Sequence, residues 1–283
     1  MPLKPGCGVV RLWIMRFLPI VAAVIGSSAL GQPAAPDAAE LIRRSAQAEK
    51  ANSEKLRQYA YRAYNVTQQK DKNGKDTERR TETWDVIGLE GSTYRKLIQR
   101  NDRPLDPKEQ KSEDERLAKE TALRRTQTPE QRRKRLLSFS YSISSLPPER
   151  MPDLYNFEFK GMESVDGRDA YVVEGLPKPG ARPANDNEKE HLNFRVRTWI
   201  DAEDQVQARG EMEAIGEHSR MQKGSLIESR RTRDESGVWL PREIRIRLNV
   251  RFLKMVGVQA DITETYSNYR RFQVDSRVVE GQP

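Results

Sequence analysis

The segment VWLPREIRIRLNVRF, residues 238–252, alternates between apolar and charged side chains in its second half. Ile244 and Ile246 fall on one side of an extended chain, while Arg245 and Arg247 fall on the other. Successive side chains of a β-strand point to opposite faces of its sheet, and strands buried on both faces read instead as continuous apolar runs. The segment therefore predicts a sheet with one apolar face and one solvated face that is rich in arginine.

The same period of two recurs in most of the chain. YAYRAYNVTQQ and TERRTETWDVIG flank Asn73-Gly74, which predicts a type I′ hairpin because this dipeptide permits positive φ at both central positions. STYRKLIQR predicts a third strand. From residue 154, the segments LYNFEFKGM, RDAYVVEGL, NFRVRTWID, QVQARGEMEAI and SLIESRRTR, then residues 238–252 and QADITETYSNYRRF, predict an antiparallel meander. A long polar loop is expected at 177–192.

Three helices are predicted from their start signals. Asp37-Ala-Ala-Glu40 resembles a capping box and predicts a helix over 37–57. Asp106-Pro107-Lys108-Glu109 and Thr128-Pro129-Glu130-Gln131 repeat this pattern with proline at the first helical position, so we expect helices over about 107–126 and 129–140. The helix at 107–126 has few apolar residues and no apolar side, so we expect it to be solvated and weakly docked. Strands and helices together predict an α+β fold in which helices cover the apolar face of an antiparallel sheet.

The N-terminus differs in kind from the rest of the chain. Residues 1–31 contain cations but no acid, and the apolar run FLPIVAAVIGSSAL is shorter than the roughly 20 residues of a membrane-spanning helix. Small residues follow at Ala29 and Gly31. This pattern predicts a secretory signal peptide over 1–31, cleaved between Gly31 and Gln32, with an uncleaved anchor as the alternative. The mature chain, 32–283, would then be periplasmic or secreted, and without Cys7 it would have no disulfide.

The sequence predicts no catalytic residue, no metal site and no cofactor. Its two histidines, His191 and His218, lack ligand spacing to another histidine, a cysteine or an acid pair, and no G-x-S-x-G, H-E-x-x-H, P-loop or G-x-G-x-x-G motif occurs. We therefore expect a protein that is not an enzyme. The net charge of +8 falls by three without Lys4, Arg11 and Arg16 of the leader, and the remainder is too modest to indicate nucleic acid as a partner.

Three short motifs and the order of elements resemble a known family. The motifs are TWID at 198–201, GVWLPREI at 237–244 and TYSNYR at 265–270. With a signal peptide, one helix, three strands, two charged helices and a long meander, they resemble the LolA-like family of periplasmic outer-membrane lipoprotein carriers over about 37–275. The resemblance implies one domain over 32–283, built as an unclosed antiparallel half-barrel. It also implies a concave apolar face covered by about three helices, with 107–140 as a helical lid.

The expected function is a periplasmic, non-enzymatic binding protein that shields a lipid acyl chain or a lipoprotein anchor. Two alternatives stay open: an envelope-stress regulatory or sensory module on the same fold, and a structural envelope protein without a ligand. The partners would be lipid or lipoprotein acyl chains, with an inner- or outer-membrane protein as a further candidate, and the chain is expected to be a monomer. The apolar strand positions give the candidate ligand-binding residues: Trp84, Val86, Tyr155, Phe157, Phe159, Phe194, Val196, Ile244, Ile246 and Leu248.

Overall fold

The computed structural model describes residues 35–71, 73–132, 135, 146, 150–216, 221–252 and 255–271, and it leaves out the side chains of 250–252 and 255–258. The expected signal peptide and its cleavage point lie outside these residues. The described strands are β1 Tyr59–Lys70, β2 Asp76–Leu89, β3 Ser92–Arg100, β4 Arg103–Pro104, β5 Tyr155–Val165, β6 Arg168–Pro177, β7 Phe194–Asp201, β8 Gln207–Ala214, β9 Leu226–Arg233, β10 Trp239–Phe252 and β11 Met255–Arg271.

The strands form one eleven-stranded antiparallel sheet in the order β4-β3-β2-β1-β11-β10-β9-β8-β7-β6-β5. Strands that follow one another in sequence are neighbours in space on each side of the β1–β11 pair, which joins the two ends of the chain. The sheet is not closed, since β4 and β5 form its two edges. The predicted α+β fold, an unclosed antiparallel half-barrel with helices, is confirmed.

The helices are α1 Ala38–Leu56, α2 Pro107–Arg125, α3 Met151–Leu154 and α4 Asp186–His191. The predicted starts of α1 and α2 are confirmed: Asp37 accepts hydrogen bonds from the first turn of α1, and Asp106 and Glu109 form a capping box. Residues 129–132 are helical as well, and most of the rest of the predicted 129–140 helix lies outside the described residues. Within the described part of the chain, no helix is long and apolar enough to cross a membrane.

Helix α1 distinguishes the two faces of the sheet. Its buried side chains Leu41 and Ile42 pack with Val173 of β6 and Ile200 of β7. We call the face that carries Val173 and Ile200 the inner face and the opposite one the outer face. On β10 the inner Ile246 is half-buried and the outer neighbours on either side of it are exposed, as the alternation predicts.

Polar contacts fix the C-terminal half of α1 over the sheet. The Asn52 amide donates to the backbone carbonyl of Trp239 and accepts from its N–H, each at 2.8 Å. Glu49 accepts from the Arg231 guanidinium at 2.6 and 2.7 Å and from the backbone N–H of Gln207 at 2.8 Å. Glu49 and Asn52 interrupt the apolar stripe of α1, and these bonds explain why polar residues stand there.

Helix α2 packs against the edge strand β3 through charged side chains. Arg116 and Arg124 lie over the ring of Tyr94, with guanidinium carbons 4.8 and 5.7 Å from the ring centroid. Tyr94 belongs to the outer face, because it alternates with Arg95, which contacts Glu264 on the inner face. The helix is exposed along most of its length, as expected. Its contacts described here are with the β3 edge and the outer face, and the predicted lid over 107–140 stays a prediction.

Two local predictions need correction. The positive φ at both central residues that a type I′ turn requires is not found at Asn73-Gly74, where only Gly74 has it, and occurs at Glu90-Gly91, Asn101-Asp102 and Asp166-Gly167. At Asn73-Gly74 the Asp71 carboxylate organises a wider loop by accepting the N–H groups of residues 73 and 75. The polar stretch 177–192, predicted as a loop, contains α4, because the side chain of Asn185 caps the N–H of Glu188 at 2.9 Å.

Candidate functional site

A row of apolar side chains crosses four neighbouring strands on the inner face. Met212 of β8 is paired with Ile227 of β9, Ile227 with Ile246 of β10, and Ile246 with Ile262 of β11. All four side chains are half-buried. We call them the apolar row. Strands lie about 4.8 Å apart, so the row is roughly 14 Å long.

The apolar row continues a packed part of the core. At the β8 end, Met212 pairs with the buried Val196 of β7 and packs on the cluster of Leu146, Leu154 and Tyr155. Ile227 of the row and Leu248, two residues beyond Ile246 on β10, pack on a buried cluster of Phe194, Ala214 and Met221. The row is therefore a half-buried extension of the packed core.

Polar side chains bound the row at β11 and beyond. Glu264, which follows Ile262 on the inner face, accepts from both terminal nitrogens of Arg95 at 2.9 and 2.8 Å. The Arg95 guanidinium carbon lies 5.2 Å from the centroid of the Trp84 ring. Burial opposes ionisation of Glu264, but its bonds with Arg95 outweigh that effect and lower the pKa of the carboxyl. The inner face thus changes from apolar to polar between Ile262 and Glu264.

The predicted ligand-binding residues all lie on the inner face and belong to several packing clusters, and their role in ligand binding stays a prediction. Val86, Tyr155, Phe194 and Val196 are buried, whereas the others are half-buried. Trp84 and Val86 pack with Tyr61, on β1, in one cluster. The residues of β5 pack with α1, β6 and β7 in others. The predicted residues that lie in or next to the apolar row are Val196, Ile244, Ile246 and Leu248.

Tyr155 belongs to a buried polar contact. Its hydroxyl lies 2.8 Å from Nδ1 of His191 and donates to the His191 carbonyl at 2.6 Å. His191 is 4% exposed. Burial lowers the pKa of its imidazole to about 4, so this histidine is neutral near neutral pH. The contact fixes the end of α4 against β5.

The three family-like motifs meet at one end of the sheet. Trp239 of the second motif donates from its indole nitrogen to Asp204, in the turn after the first, at 2.8 Å. Asp201 of the first motif accepts from Arg168 at 2.6 and 2.9 Å. Tyr269 of the third motif donates its hydroxyl proton to the Pro241 carbonyl. These contacts hold the turns together, so the motifs stabilise the fold. None of the three motifs contains a residue of the apolar row.

No cluster of histidine, cysteine, aspartate and glutamate that could hold a metal ion occurs among the described residues. Arg95 and Glu264 form an ion pair on the inner face, and Arg231 of β9 forms one with Glu49 of α1.

The fold is similar to several solved structures. A DUF1329 family protein from Desulfovibrio piger is 17% identical, with 86% of this chain and 96% of that chain covered and a TM-score of 0.38. A domain described as an outer membrane lipoprotein-sorting protein, from Vibrio parahaemolyticus, is 13% identical, with 86% and 96% covered and a TM-score of 0.41. A LolA superfamily protein from Nitrosomonas europaea is 10% identical, with 85% and 96% covered and a TM-score of 0.34.

A LolA superfamily protein and a protein described as lipoprotein-sorting are among these structures, each with a TM-score below 0.5. No protein-family model matches the sequence, and no curated protein sequence matches it. At these identities the likeness describes the fold, and no ligand or partner is carried over from it.

Sequence reasoning missed three residues of the apolar row: Met212, Ile227 and Ile262. Ile227 and Ile262 stand in segments with visible alternation, so their apolar side could have been noted. Their alignment with Ile246 depends on strand register, which alternation alone does not specify.

Proposed function

We propose that this chain is a non-enzymatic binding protein that shields a lipid acyl chain on the inner face of its sheet, in the periplasm or outside the cell. The apolar row is the observation that carries the proposal. It places Met212, Ile227, Ile246 and Ile262 in register across four strands, half-exposed beside a packed core.

An acyl chain suits this surface for a physical reason. Burying a methylene group contributes about 0.8 kcal/mol, so even part of an acyl chain laid along the row would gain several kcal/mol. The row runs across the strands and ends where Ile262 is paired with the polar Thr67 of β1, and the pair Arg95–Glu264 lies beside this end, two residues along β11. A ligand with a long apolar segment matches this surface better than a compact polar metabolite.

A matched pair of variants tests the proposal. Ile262 faces inward in the row, whereas its neighbour Thr263 faces outward opposite Arg245. Ile262→Asp and Thr263→Asp add the same charge to the same strand on opposite faces. In titrations with a fluorescent long-chain fatty acid, we expect the wild type and Thr263→Asp to bind and Ile262→Asp to bind at least tenfold more weakly.

Both alternatives predict a result that differs from that of the proposal in the same titration. A structural protein without a ligand would bind no fatty acid in any of the three forms. A regulatory module that recognises another protein would also bind no lipid and would need an exposed apolar patch. The large apolar side chains that are exposed in the described residues, Leu123, Met162, Leu176 and Ile215, stand on different elements.

A further inference from the structure

Strand β3 is an edge strand for most of its length. On one side it pairs with β2 from Ser92 to Arg100. On the other side, β4 pairs with it only at Gln99 and Arg100. Among the described residues, the backbone groups of β3 that point away from β2 therefore have no strand partner between residues 92 and 98. An open edge of this kind can pair with a strand of another molecule.

Side chains of α2 bond to these outward backbone groups. Glu113 accepts the N–H of Leu97 at 3.1 Å, and Arg116 donates to the carbonyl of Arg95 at 2.7 Å. Arg124 donates to the carbonyl of Thr93 at 3.2 Å. Residues 93, 95 and 97 are every second residue of the strand, the positions that a further antiparallel strand would use.

The sequence of α2 is suited to this placement. Glu113, Arg116, Glu120 and Arg124 follow one another at intervals of three, four and four residues, so they share one side of the helix. Arg124 is buried and is also held by Glu120 at 2.6 Å. The helix thus has a charged docking side in place of an apolar one.

We propose that α2 guards the β3 edge and prevents it from pairing with a second copy of this chain. The partner is a second copy of this chain. A two-fold axis would place the β3 edges of two copies side by side and antiparallel, so that the N–H groups of each face the C=O groups of the other. The docking side of α2 consists of charged side chains because they form hydrogen bonds with the backbone groups that a neighbouring strand would otherwise bond.

A double variant with a matched control tests the guard. Glu113→Ala/Arg116→Ala frees the outward groups of Leu97 and Arg95. Lys111→Ala/Glu115→Ala removes one cation and one anion from the same helix at an exposed pair, with side chains 79% and 68% exposed. Each full-length protein is compared with the wild type by sedimentation velocity over a wide range of concentration, and the Leu97 amide is followed by hydrogen exchange.

We expect the wild type and the control to remain monomeric, and the guard variant to form dimers as its concentration rises. In the dilute guard variant the Leu97 amide should exchange about tenfold faster, as expected for loss of one bond to a charged group, and it should become protected on dimerisation. If the double variant does not fold, Glu113→Ala alone frees the Leu97 N–H and provides the same comparison.

A guard variant that stays monomeric at every concentration would overturn the proposal, whatever the exchange rate of Leu97. So would equal association of the guard variant and the control, or dimers in which the Leu97 amide stays unprotected. Dimerisation of the wild type under the same conditions would also overturn it.

Discussion

Mild acid should destabilise this protein because His191 is held neutral in its core. The residue is 4% exposed, and its Nδ1 lies 2.8 Å from the Tyr155 hydroxyl. Its Nε2 has no hydrogen-bond partner in the part of the chain that the structure describes. Burial lowers the pKa of the imidazole from 6.5 to about 4. Protonation in the folded state would place an incompletely paired charge in the core.

The sign and size of the effect follow from proton binding. Between about pH 6.5 and 4 the unfolded chain binds a proton at residue 191 that the folded chain does not, so the free energy of unfolding falls as pH falls. The shift from 6.5 to about 4 corresponds to roughly 3 kcal/mol in total. About 2 kcal/mol of this should be lost between pH 7 and pH 5.

Paired carboxylates act at lower pH. Arg150 lowers the pKa of Glu188, and in Asp201 the bonds from Arg168 outweigh burial and lower the pKa as well. Stability from such groups is lost as pH falls below the ordinary carboxylate range of about 4. The interval from pH 7 to 5 therefore isolates the histidines.

Denaturant unfolding of the wild type and His191→Asn at pH 7 and pH 5 measures the effect. Asparagine keeps a polar group near the Tyr155 hydroxyl but does not titrate, and His218 is common to both proteins. The wild type should lose about 2 kcal/mol more than the variant over this interval. Equal losses in the two proteins would refute the reasoning, because residue 191 would then titrate as it does in the unfolded chain.

Three further predictions concern stability and can be measured by denaturant unfolding. Gly175→Ala places a Cβ 2.5 Å from Cε1 of Phe157 and should cost about 1–3 kcal/mol of stability. Adding Phe157→Leu should recover part of this loss, and a double variant no more stable than Gly175→Ala would contradict the prediction. Asp201→Asn breaks the pair with Arg168, which is 30% exposed, so we expect a loss near the lower end of about 3–5 kcal/mol; a negligible loss would show that the pair is dispensable. Leu41→Ala, at a fully buried position of α1, should cost about 2–5 kcal/mol, and a smaller cost would mean that α1 is loosely docked.

The strands and the first two helices could be predicted because their signals are local. The alternation in 238–252 reflects the two faces of one strand, and the Asp37 and Asp106 caps depend on residues within one helical turn. The helix α4 was missed because it has six residues and no apolar period, and its cap at Asn185 is the available signal.

The position of α2 could not be predicted from an apolar pattern. Its docking side consists of charged side chains that bond to the backbone of β3, and charged residues at helical spacing are equally typical of a solvated helix. The spacing of the charged residues from Glu113 to Arg124 identifies the docking side of α2 only when the helix is already known to lie beside an edge strand.

The candidate site was predicted in part for a similar reason. Alternation placed Ile244, Ile246 and Leu248 on the apolar face, and the structure agrees. Whether a position is buried or half-exposed depends on which strands lie beneath α1, and that depends on the order of all eleven strands. Tyr155 and Phe194 look the same as Ile246 in sequence, yet they are buried in the core.

Photo-crosslinking with a long-chain fatty acid that carries a diazirine near its methyl end tests the central claim most directly. After photolysis, mass spectrometry of the digested protein locates the acyl chain. We expect labelling of peptides that contain Met212, Ile227, Ile246 or Ile262, with loss of the label in Ile262→Asp and its retention in Thr263→Asp. Labelling confined to other peptides, or equal labelling of both variants, would contradict the claim that the apolar row holds the chain.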